Sequence, residues 1–284
     1  MKSKPNLNNK NIMKRILGLV AVVLLFTQCS TVPITGRSRV NFVSDSQVLP
    51  ASFAQYKGFL EKNKVSTDVK MSNKIKSVGK KVASAVDRFM RANGMGAEAD
   101  TYKWEFNLVE DKNVNAWCLP GGKVVFYTGI LPICANTDGI AAVMGHEVAH
   151  AFAKHGQERM SSAQMQQLGG AAVAIGAASS KKSQIWNMAY GIGSQLGTLA
   201  FSRTHETEAD KLGLVFMLMA GYNGEEAVNV WIRMSKKAGG KTPPEFLSTH
   251  PSNQTRISTL RSYLPEAKRL AAKFNRQTNT AMKK

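Results

Sequence analysis

The stretch Gly145-His146-Glu147-Val148-Ala149-His150 decides how this 284-residue chain is interpreted. It lies in the run 138–153, which is dominated by Ala, Val, Met and Ile and contains no proline, so the run predicts a largely buried helix. On a helix, residues four positions apart lie about 40° around the axis and roughly 6 Å along it from each other. His146 and His150 can therefore bind one metal ion from the same face, as tetrahedral zinc requires.

Glu147 has a different predicted task. Its side chain points about 100° away from that of His146 around the helix axis, too far to provide a third ligand. A carboxylate at this position can accept a proton from a metal-bound water, which is the division of labour that the HExxH pattern indicates. The alternative is a chance match within a core helix. Such a helix would bury two histidines and a glutamate with no partner to offset their desolvation.

A catalytic zinc site needs a third protein ligand besides the two histidines. His155 lies about 140° off the ligand face, which favours a position at the helix end instead. The stretch 202–213 holds Glu206 and Asp210 four residues apart, on one face of a predicted helix. One carboxylate can bind zinc while the other orients a ligating imidazole. Glu208 lies about 200° from Glu206 and should face elsewhere. An ordinary acidic helix surface is the alternative.

Three strand-like segments precede the metal helix. Residues 102–110 alternate apolar and polar side chains, residues 114–117 form a second short strand, and residues 123–129 form a third. The Pro-Gly-Gly turn at 120–122 makes a hairpin of the last two. A substrate peptide could add to the free edge of this hairpin beside the metal, although neighbouring loops could equally cover that edge. The predicted substrate edge strand consists of Val124, Val125, Phe126 and Tyr127.

The chain is strongly basic. Its formal net charge of +19 indicates an anionic partner, which could be a phospholipid surface, an acidic protein or nucleic acid. Residues 232–284 alone contain twelve Lys or Arg and two acidic residues. The content of 43% hydrophobic and 20% charged residues is ordinary for a globular protein. Three cysteines do not make a disulfide framework.

The N-terminus predicts export. Basic residues precede the apolar run 16–26, which is too short for a comfortable membrane span and is typical of a secretory signal. Cys29 follows this run, where bacterial lipoproteins carry their lipidated cysteine, although Gln28 replaces the usual small residue. We therefore predict a lipoprotein-type signal peptide at 1–28 and a tether at 29–50. An uncleaved anchor helix is the alternative.

The motifs of this chain resemble those of a known family. The motifs at 146–150 (His-Glu-Val-Ala-His) and 206–210 (Glu-Thr-Glu-Ala-Asp) resemble those of the zinc metallopeptidases that include CAAX prenyl endopeptidase, HtpX and the mitochondrial Oma-type peptidase. The stretch 115–122, Asn-Ala-Trp-Cys-Leu-Pro-Gly-Gly, is similar to the family's hairpin motif, and His250-Pro251 with Arg256 follows downstream. Unlike HtpX, the chain has no pair of long apolar spans, which is similar to the secreted, lipid-anchored branch.

The resemblance implies a gluzincin-type fold, α+β and mainly helical. It would contain an active-site helix, a second ligand helix and a small sheet whose edge strand holds the substrate. The resemblance implies that one Zn²⁺ per chain is bound by His146, His150 and Glu206. Glu147 would be the general base, and Asp210 would orient a ligand.

The remaining organisation is predicted as helical. Apolar residues at helical spacing predict helices at 45–63, 69–92 and 256–274. The peptidase domain would span residues 51–264, and a basic tail would follow at 265–284.

The implied function is that of a zinc-dependent endopeptidase. It would be lipid-anchored in the bacterial cell envelope, facing the periplasm from the outer membrane, and would hydrolyse misfolded or envelope proteins. Its partners would be protein or peptide substrates, and the membrane through the lipid anchor and anionic headgroups; export argues against nucleic acid. The rival hypothesis is an envelope assembly factor or chaperone that retains the zinc fold but acts mainly by binding. A purely structural zinc protein would leave Glu147 without a task.

His250 is the last predicted site residue. Pro251 holds it in an extended conformation, and related periplasmic peptidases have a histidine in this element that can approach the metal. As a fourth zinc ligand, His250 would displace the catalytic water and gate the site. The alternatives are that it caps the following helix or hydrogen-bonds the transition state.

Overall fold

The computed structural model describes residues 29–170, 202–239, 246, 250 and 254–281, and the fold below refers to these residues. The predicted signal peptide at 1–28 lies outside them. Within the described part, the chain is mainly helical with two small sheets, which confirms the predicted fold class. None of its described helices combines the length and the apolar character needed to cross a bilayer.

The secondary structure elements are numbered here in chain order within the described residues. The strands are β1 (Cys29–Thr31), β2 (Ser38–Val40), β3 (Glu105–Val109), β4 (Ala116–Leu119) and β5 (Lys123–Tyr127). The helices are α1 (Asp45–Lys62), α2 (Val69–Ala92), α3 (Gly96–Ala99), α4 (Leu131–Cys134), α5 (Thr137–Phe152), α6 (His155–Gly170), α7 (Arg203–Met219), α8 (Glu225–Ala238) and α9 (Gln254–Ala281). The three helices predicted from apolar spacing correspond to α1, α2 and α9.

α5 is the central helix of the fold. Every residue from Gly139 to Phe152 is buried, which explains why the helix is apolar on all sides apart from its functional residues. The Asn136 side chain caps its N-terminus by accepting a hydrogen bond from the Gly139 backbone N–H at 2.8 Å. α7 packs along α5, and α2 and α8 also contact it. The two predicted ligand stretches are therefore neighbouring helices in the core.

α5 and α7 touch backbone to backbone at two glycines. A Cβ on Gly145 would lie 2.6 Å from the carbonyl oxygen of Gly213, and a Cβ on Gly213 would lie 2.7 Å from the backbone nitrogen of His146. These distances leave no room for any side chain at either position. The glycine pair thus sets the spacing between the HExxH helix and the second ligand helix.

The three-stranded sheet corrects the predicted substrate edge. Its order is β3–β5–β4, with β3 parallel and β4 antiparallel to β5. Val124, Val125, Phe126 and Tyr127 are therefore wrong as an edge strand, because they form the buried central strand. The alternating pattern of 102–110 identified β3 as a strand but did not show that it would cover this side of β5. Among the described residues, β4 pairs on one side only, and it lies against α5.

Both ends of the described chain are folded onto the domain. The predicted tether at 29–50 contains the antiparallel β1–β2 hairpin and the first turn of α1, so it is not simply extended. At the other end, α9 runs through residue 265, where the basic tail was predicted to start, and its Ala267 and Ala271 are buried. The domain boundaries stay predictions, but part of the tail packs as a helix of the core.

Candidate metal centre

Four buried side chains converge where α5 faces α7. One donor atom from each of His146, His150, Glu206 and His250 lies within 4.8 Å of every other donor. The Nε2 atoms of His146 and His150 are 3.1 Å apart. Glu206 places Oε2 3.6 Å from His146 Nε2 and Oε1 3.5 Å from His150 Nε2. The structure therefore brings the three predicted ligands together at one point.

The spacing of these donors fits a zinc ion. Zinc bonds to nitrogen and carboxylate oxygen at about 2.0–2.2 Å, so two donors on a tetrahedral ion stand roughly 3.3 Å apart. The observed separations of 3.1, 3.5 and 3.6 Å bracket that value. Two imidazoles and a carboxylate are also a ligand set that zinc favours.

Glu147 faces the same cluster without belonging to it. Its side chain is buried, and within the described part of the chain its Oε1 makes no hydrogen bond; His250 Nε2 lies 3.7 Å away. Burial raises the pKa of the Glu147 carboxyl, because the charged form loses its hydration. A buried carboxylate oxygen left open beside the metal ligands is what a general base requires.

Asp210, predicted to orient a ligating imidazole, lies beside His146. Its Oδ1 lies 3.0 Å from His146 Nδ1, the ring nitrogen that points away from the cluster. Burial lowers the pKa of His146, but the hydrogen bonds and charges of Asp210 and Glu206 outweigh it and raise the pKa to about 9. The carboxylate is therefore placed on the side of the ring opposite Nε2, the position from which an outer carboxylate orients a ligating histidine.

Arg256 holds the two carboxylates of α7 in place. Its Nε and Nη2 donate to both oxygens of Asp210 at 2.7 and 2.6 Å, and its Nη1 donates to Glu206 at 2.5 Å. The guanidinium stacks 3.6 Å above the ring centre of Trp231. Burial raises the pKa of Glu206, but neighbouring His250 and Arg256 hold it well below its usual value.

In the sequence, Arg256 is a mark of the family resemblance with no predicted role. Its position, about fifty residues beyond Glu206 on α9, gave no spacing from which a contact could be inferred. Its placement downstream of the His250-Pro251 pair was the only signal in the sequence.

His155 and Glu208 also contact the site from outside. His155 begins α6, as the predicted helix-end position requires, yet it is fully buried and its Nδ1 lies 3.0 Å from His150 Nδ1. Its Nε2 lies 2.9 Å from Glu208 Oε2. Glu208 faces away from the ligand cluster, as expected, but toward a partner of His150. This contact was not predicted, because no spacing within the sequence relates His155 to Glu208.

His250 reaches the cluster, as the gating hypothesis requires. Its Nδ1 lies 3.0 Å from Glu206 Oε1 and 3.4 Å from His146 Nε2, and its ring stacks on Phe246 at 4.4 Å. This position is compatible with a fourth ligand and equally with a hydrogen-bond donor beside the ligands. Gating therefore stays a prediction.

The remaining predicted residues lie elsewhere. Cys29 begins β1, and its lipidation stays a prediction. Cys118 and Cys134 are free cysteines, and burial raises the pKa of Cys134 to about 12.

A buried HExxH helix, an opposing carboxylate helix and a small sheet define the chain as a metallopeptidase of the zincin type. The sequence pattern of peptidase family M48 matches residues 76–264, and the chain belongs to this family. The family implies a divalent metal, and the chain is a metalloendopeptidase.

Relatives support the same placement. The mitochondrial metalloendopeptidase OMA1 of Saccharomyces cerevisiae is 33% identical over 252 residues, which are 85% of this chain and 71% of that protein. The protein of the same name from Schizosaccharomyces pombe is 35% identical over 270 residues, covering 93% of this chain and 75% of the relative. The putative beta-barrel assembly-enhancing protease of Vibrio cholerae is 29% identical over 163 residues, or 55% of this chain and 34% of the relative.

Proposed function

We propose that this chain is a zinc-dependent endopeptidase of the bacterial cell envelope that hydrolyses misfolded or envelope proteins. The observation that carries the proposal is the convergence of His146, His150 and Glu206 at zinc-ligand spacing, with the open Glu147 carboxylate beside them. When bound, zinc would polarise a peptide carbonyl and make a water molecule more acidic.

Glu147 would move the proton in this reaction. Its Oε1 would accept the proton of the attacking water and pass it to the leaving amine. Asp210 and Arg256 hold the ligands still while this happens, through the bonds to His146 and Glu206. The ligands and base are at most 4% exposed, so bulk solvent is largely excluded and the charge interactions among them are strengthened.

The substrate would bind along β4 rather than β5. β4 (Ala116–Leu119) has a partner on one side only among the described residues, and it packs against the metal helix α5. An extended peptide that adds to this edge would run past the metal centre with its backbone hydrogen-bonded. This replaces the edge strand predicted from sequence with the other strand of the same hairpin.

Envelope location rests on the N-terminus and on one group of relatives. The signal-like run and Cys29 favour export and lipid anchoring, with the outer membrane as the expected site. The Vibrio relative is described as a beta-barrel assembly-enhancing protease, which favours an envelope role. The charge of +19 suits anionic headgroups beside the anchor. We propose lipid headgroups, rather than nucleic acid, as the partner of this positive charge.

A second candidate function is favoured by the same relative. Its name points to assembly of other proteins, so the chain could keep the zinc fold and act mainly by binding envelope proteins. In that case the Glu147 carboxylate would be dispensable for function.

The test is cleavage of an unfolded model protein, such as casein, by purified full-length chain. Glu147→Gln should abolish cleavage while metal content stays near that of wild type. Glu61→Gln, in which the altered carboxylate is 64% exposed, is the matched control and should cleave normally. If Glu147→Gln cleaves like wild type, the proposed base is wrong. If it loses cleavage but still restores envelope function to cells lacking the gene, the assembly function is favoured.

A further inference from the structure

We infer that the loop of the N-terminal hairpin, residues 32–37, is a positioning element of the metal centre. It would act on His150 through Glu208 and His155. The inference rests on the proposed metal binding, and it assigns roles to side chains that the HExxH and Glu206 motifs do not include.

The first step is the orientation of His150. His155 Nε2 lies 2.9 Å from Glu208 Oε2, and because a carboxylate can only accept, this nitrogen carries the proton. In the neutral ring, His155 Nδ1 is then an acceptor. It lies 3.0 Å from His150 Nδ1, which must donate. His150 is left with a bare Nε2, the atom that faces His146 and Glu206. A metal ligand needs that tautomer.

The two histidine ligands are therefore supported by different means. His146 is held directly by the carboxylate of Asp210 at 3.0 Å. His150 contacts His155, and His155 in turn contacts the carboxylate of Glu208. Each histidine ligand is thus linked to a carboxylate of α7, directly or through His155. Each of these carboxylates accepts hydrogen bonds from an arginine in another part of the chain, Asp210 from Arg256 and Glu208 from Arg37.

For Glu208, that arginine comes from the N-terminal hairpin. Arg37 donates through Nε to Glu208 Oε2 at 2.6 Å and through Nη1 and Nη2 to Glu158 at 2.9 and 2.6 Å. The Thr35 hydroxyl donates to the other oxygen of Glu208. Among the described residues, Glu208 thus has three side-chain partners, two of which belong to the loop. The charge-assisted bonds make Arg37 the strongest of them.

The loop backbone is shaped to deliver these two side chains. Ile34 has a φ of 74° and Gly36 a φ of 70°. A β-branched residue in this region is a strained exception that persists only where the surroundings enforce it. The loop is closed by hydrogen bonds between Val32 and Arg37 (2.8 Å) and between Gly36 and Val32 (2.9 Å). Val32, fully buried, anchors it in the core.

The hairpin also contains the predicted lipid anchor. Cys29 begins β1, the strand that leads into this loop. The segment that would tie the protein to the membrane is then the same segment that orients a metal ligand.

The decisive measurement is zinc affinity, determined on full-length protein by competition with a chromophoric chelator. Arg37→Ala and Glu208→Gln should each weaken zinc binding by about 10- to 100-fold, the usual effect of removing such an outer partner. The visible spectrum of the cobalt-substituted protein should change as well, because His150 is no longer held in one orientation. Arg39→Ala is the matched control. It lies in the same hairpin but contacts Ser30 and the Phe152 carbonyl, and it should bind zinc like wild type.

The possible results separate cleanly. If Arg37→Ala and Glu208→Gln are folded and bind zinc with wild-type affinity and an unchanged cobalt spectrum, the inference is wrong. If Arg37→Ala does not fold, Thr35→Val decides, since it removes one hydrogen bond and keeps the side-chain shape. A several-fold loss of affinity supports the inference, and wild-type affinity overturns it.

Two further outcomes identify other failures. Wild-type protein that binds no zinc would refute the proposed function itself. A second zinc per chain that is lost in His205→Ala would mean that His155, Glu158 and His205 form a metal site, which would overturn the relay.

Discussion

Gly213→Ala should damage the metal centre more than it damages the fold. The new Cβ would lie 2.7 Å from the carbonyl carbon of Gly145 and from the backbone nitrogen of His146. Carbon contacts are comfortable at about 3.5–4.0 Å, so α5 and α7 must separate by roughly 1 Å at this point. Backbone atoms cannot rotate out of the way as a side chain can.

The two effects on stability partly cancel. Overpacking of a core costs typically about 1–3 kcal/mol. Alanine in place of glycine within a helix restores about 1 kcal/mol. The free energy of unfolding should therefore fall by at most about 2 kcal/mol, and the variant should remain folded.

Metal binding has no such compensation. Ligand distances must hold to about 0.2 Å, whereas the shift changes the spacing between His146 on α5 and Glu206 on α7, now 3.6 Å, by much more. Zinc affinity should drop by more than the roughly 100-fold seen when an outer partner is lost.

The assay combines urea unfolding of the metal-free protein with zinc competition. Gly58→Ala is the control, because Gly58 lies inside α1 and a Cβ there meets nothing within 4 Å. It should stabilise the protein slightly and leave zinc affinity unchanged. A Gly213→Ala protein that binds zinc as tightly as Gly58→Ala would refute the argument that the glycine contact sets the ligand spacing.

Three other predictions address the anchor, the gate and the outer salt bridges. Cys29→Ala should release the protein to a soluble envelope fraction, and mass spectrometry that finds an unmodified Cys29 in the mature chain would end the lipid-anchor hypothesis. His250→Ala should cleave an unfolded substrate faster than wild type if His250 gates the site; much slower cleavage would indicate support of the transition state, and a lower melting temperature with unchanged activity would indicate a capping role. Burial raises the pKa of Glu158, but its bonds to Arg37 and His205 outweigh this effect and lower the pKa to about 2. The stability that this carboxylate contributes is present above its ordinary pKa of 4.5 and is lost as the pH falls toward 2. Glu158→Gln should therefore flatten acid unfolding over that interval, and an unchanged acid profile would contradict the assignment.

Local patterns predicted much of this structure. The spacing of His146 and His150 required only helix geometry, and the run of apolar residues around them indicated that the helix is buried. The same reasoning located the Glu206–Asp210 helix and showed that Glu208 points away from the ligand face. These features depend on residues within one or two turns of each other, which a sequence displays directly.

Features that depend on long-range pairing could not be predicted in this way. The hairpin at 116–127 was recognisable from its turn. The pairing of β3 with β5 was not, and it makes β5 the central strand and β4 an edge strand of the described sheet, the opposite of the prediction. Arg256 and Arg37 reach the site from opposite ends of the described chain, and nothing in their local sequence marks their carboxylate partners. The need for glycine at 145 and 213 is evident only when α5 and α7 are packed together, because it arises from the close approach of the two backbones.

The most direct test of the central claim is metal analysis of purified wild-type, Glu206→Ala and Glu147→Gln proteins. We expect one zinc per chain in wild type and nearly one in Glu147→Gln, because the base is not a ligand. Zinc should be strongly reduced in Glu206→Ala, which removes a carboxylate 3.5 and 3.6 Å from the two histidine nitrogens. Full zinc occupancy in Glu206→Ala would show that Glu206 is not a ligand and would contradict the proposed metal centre.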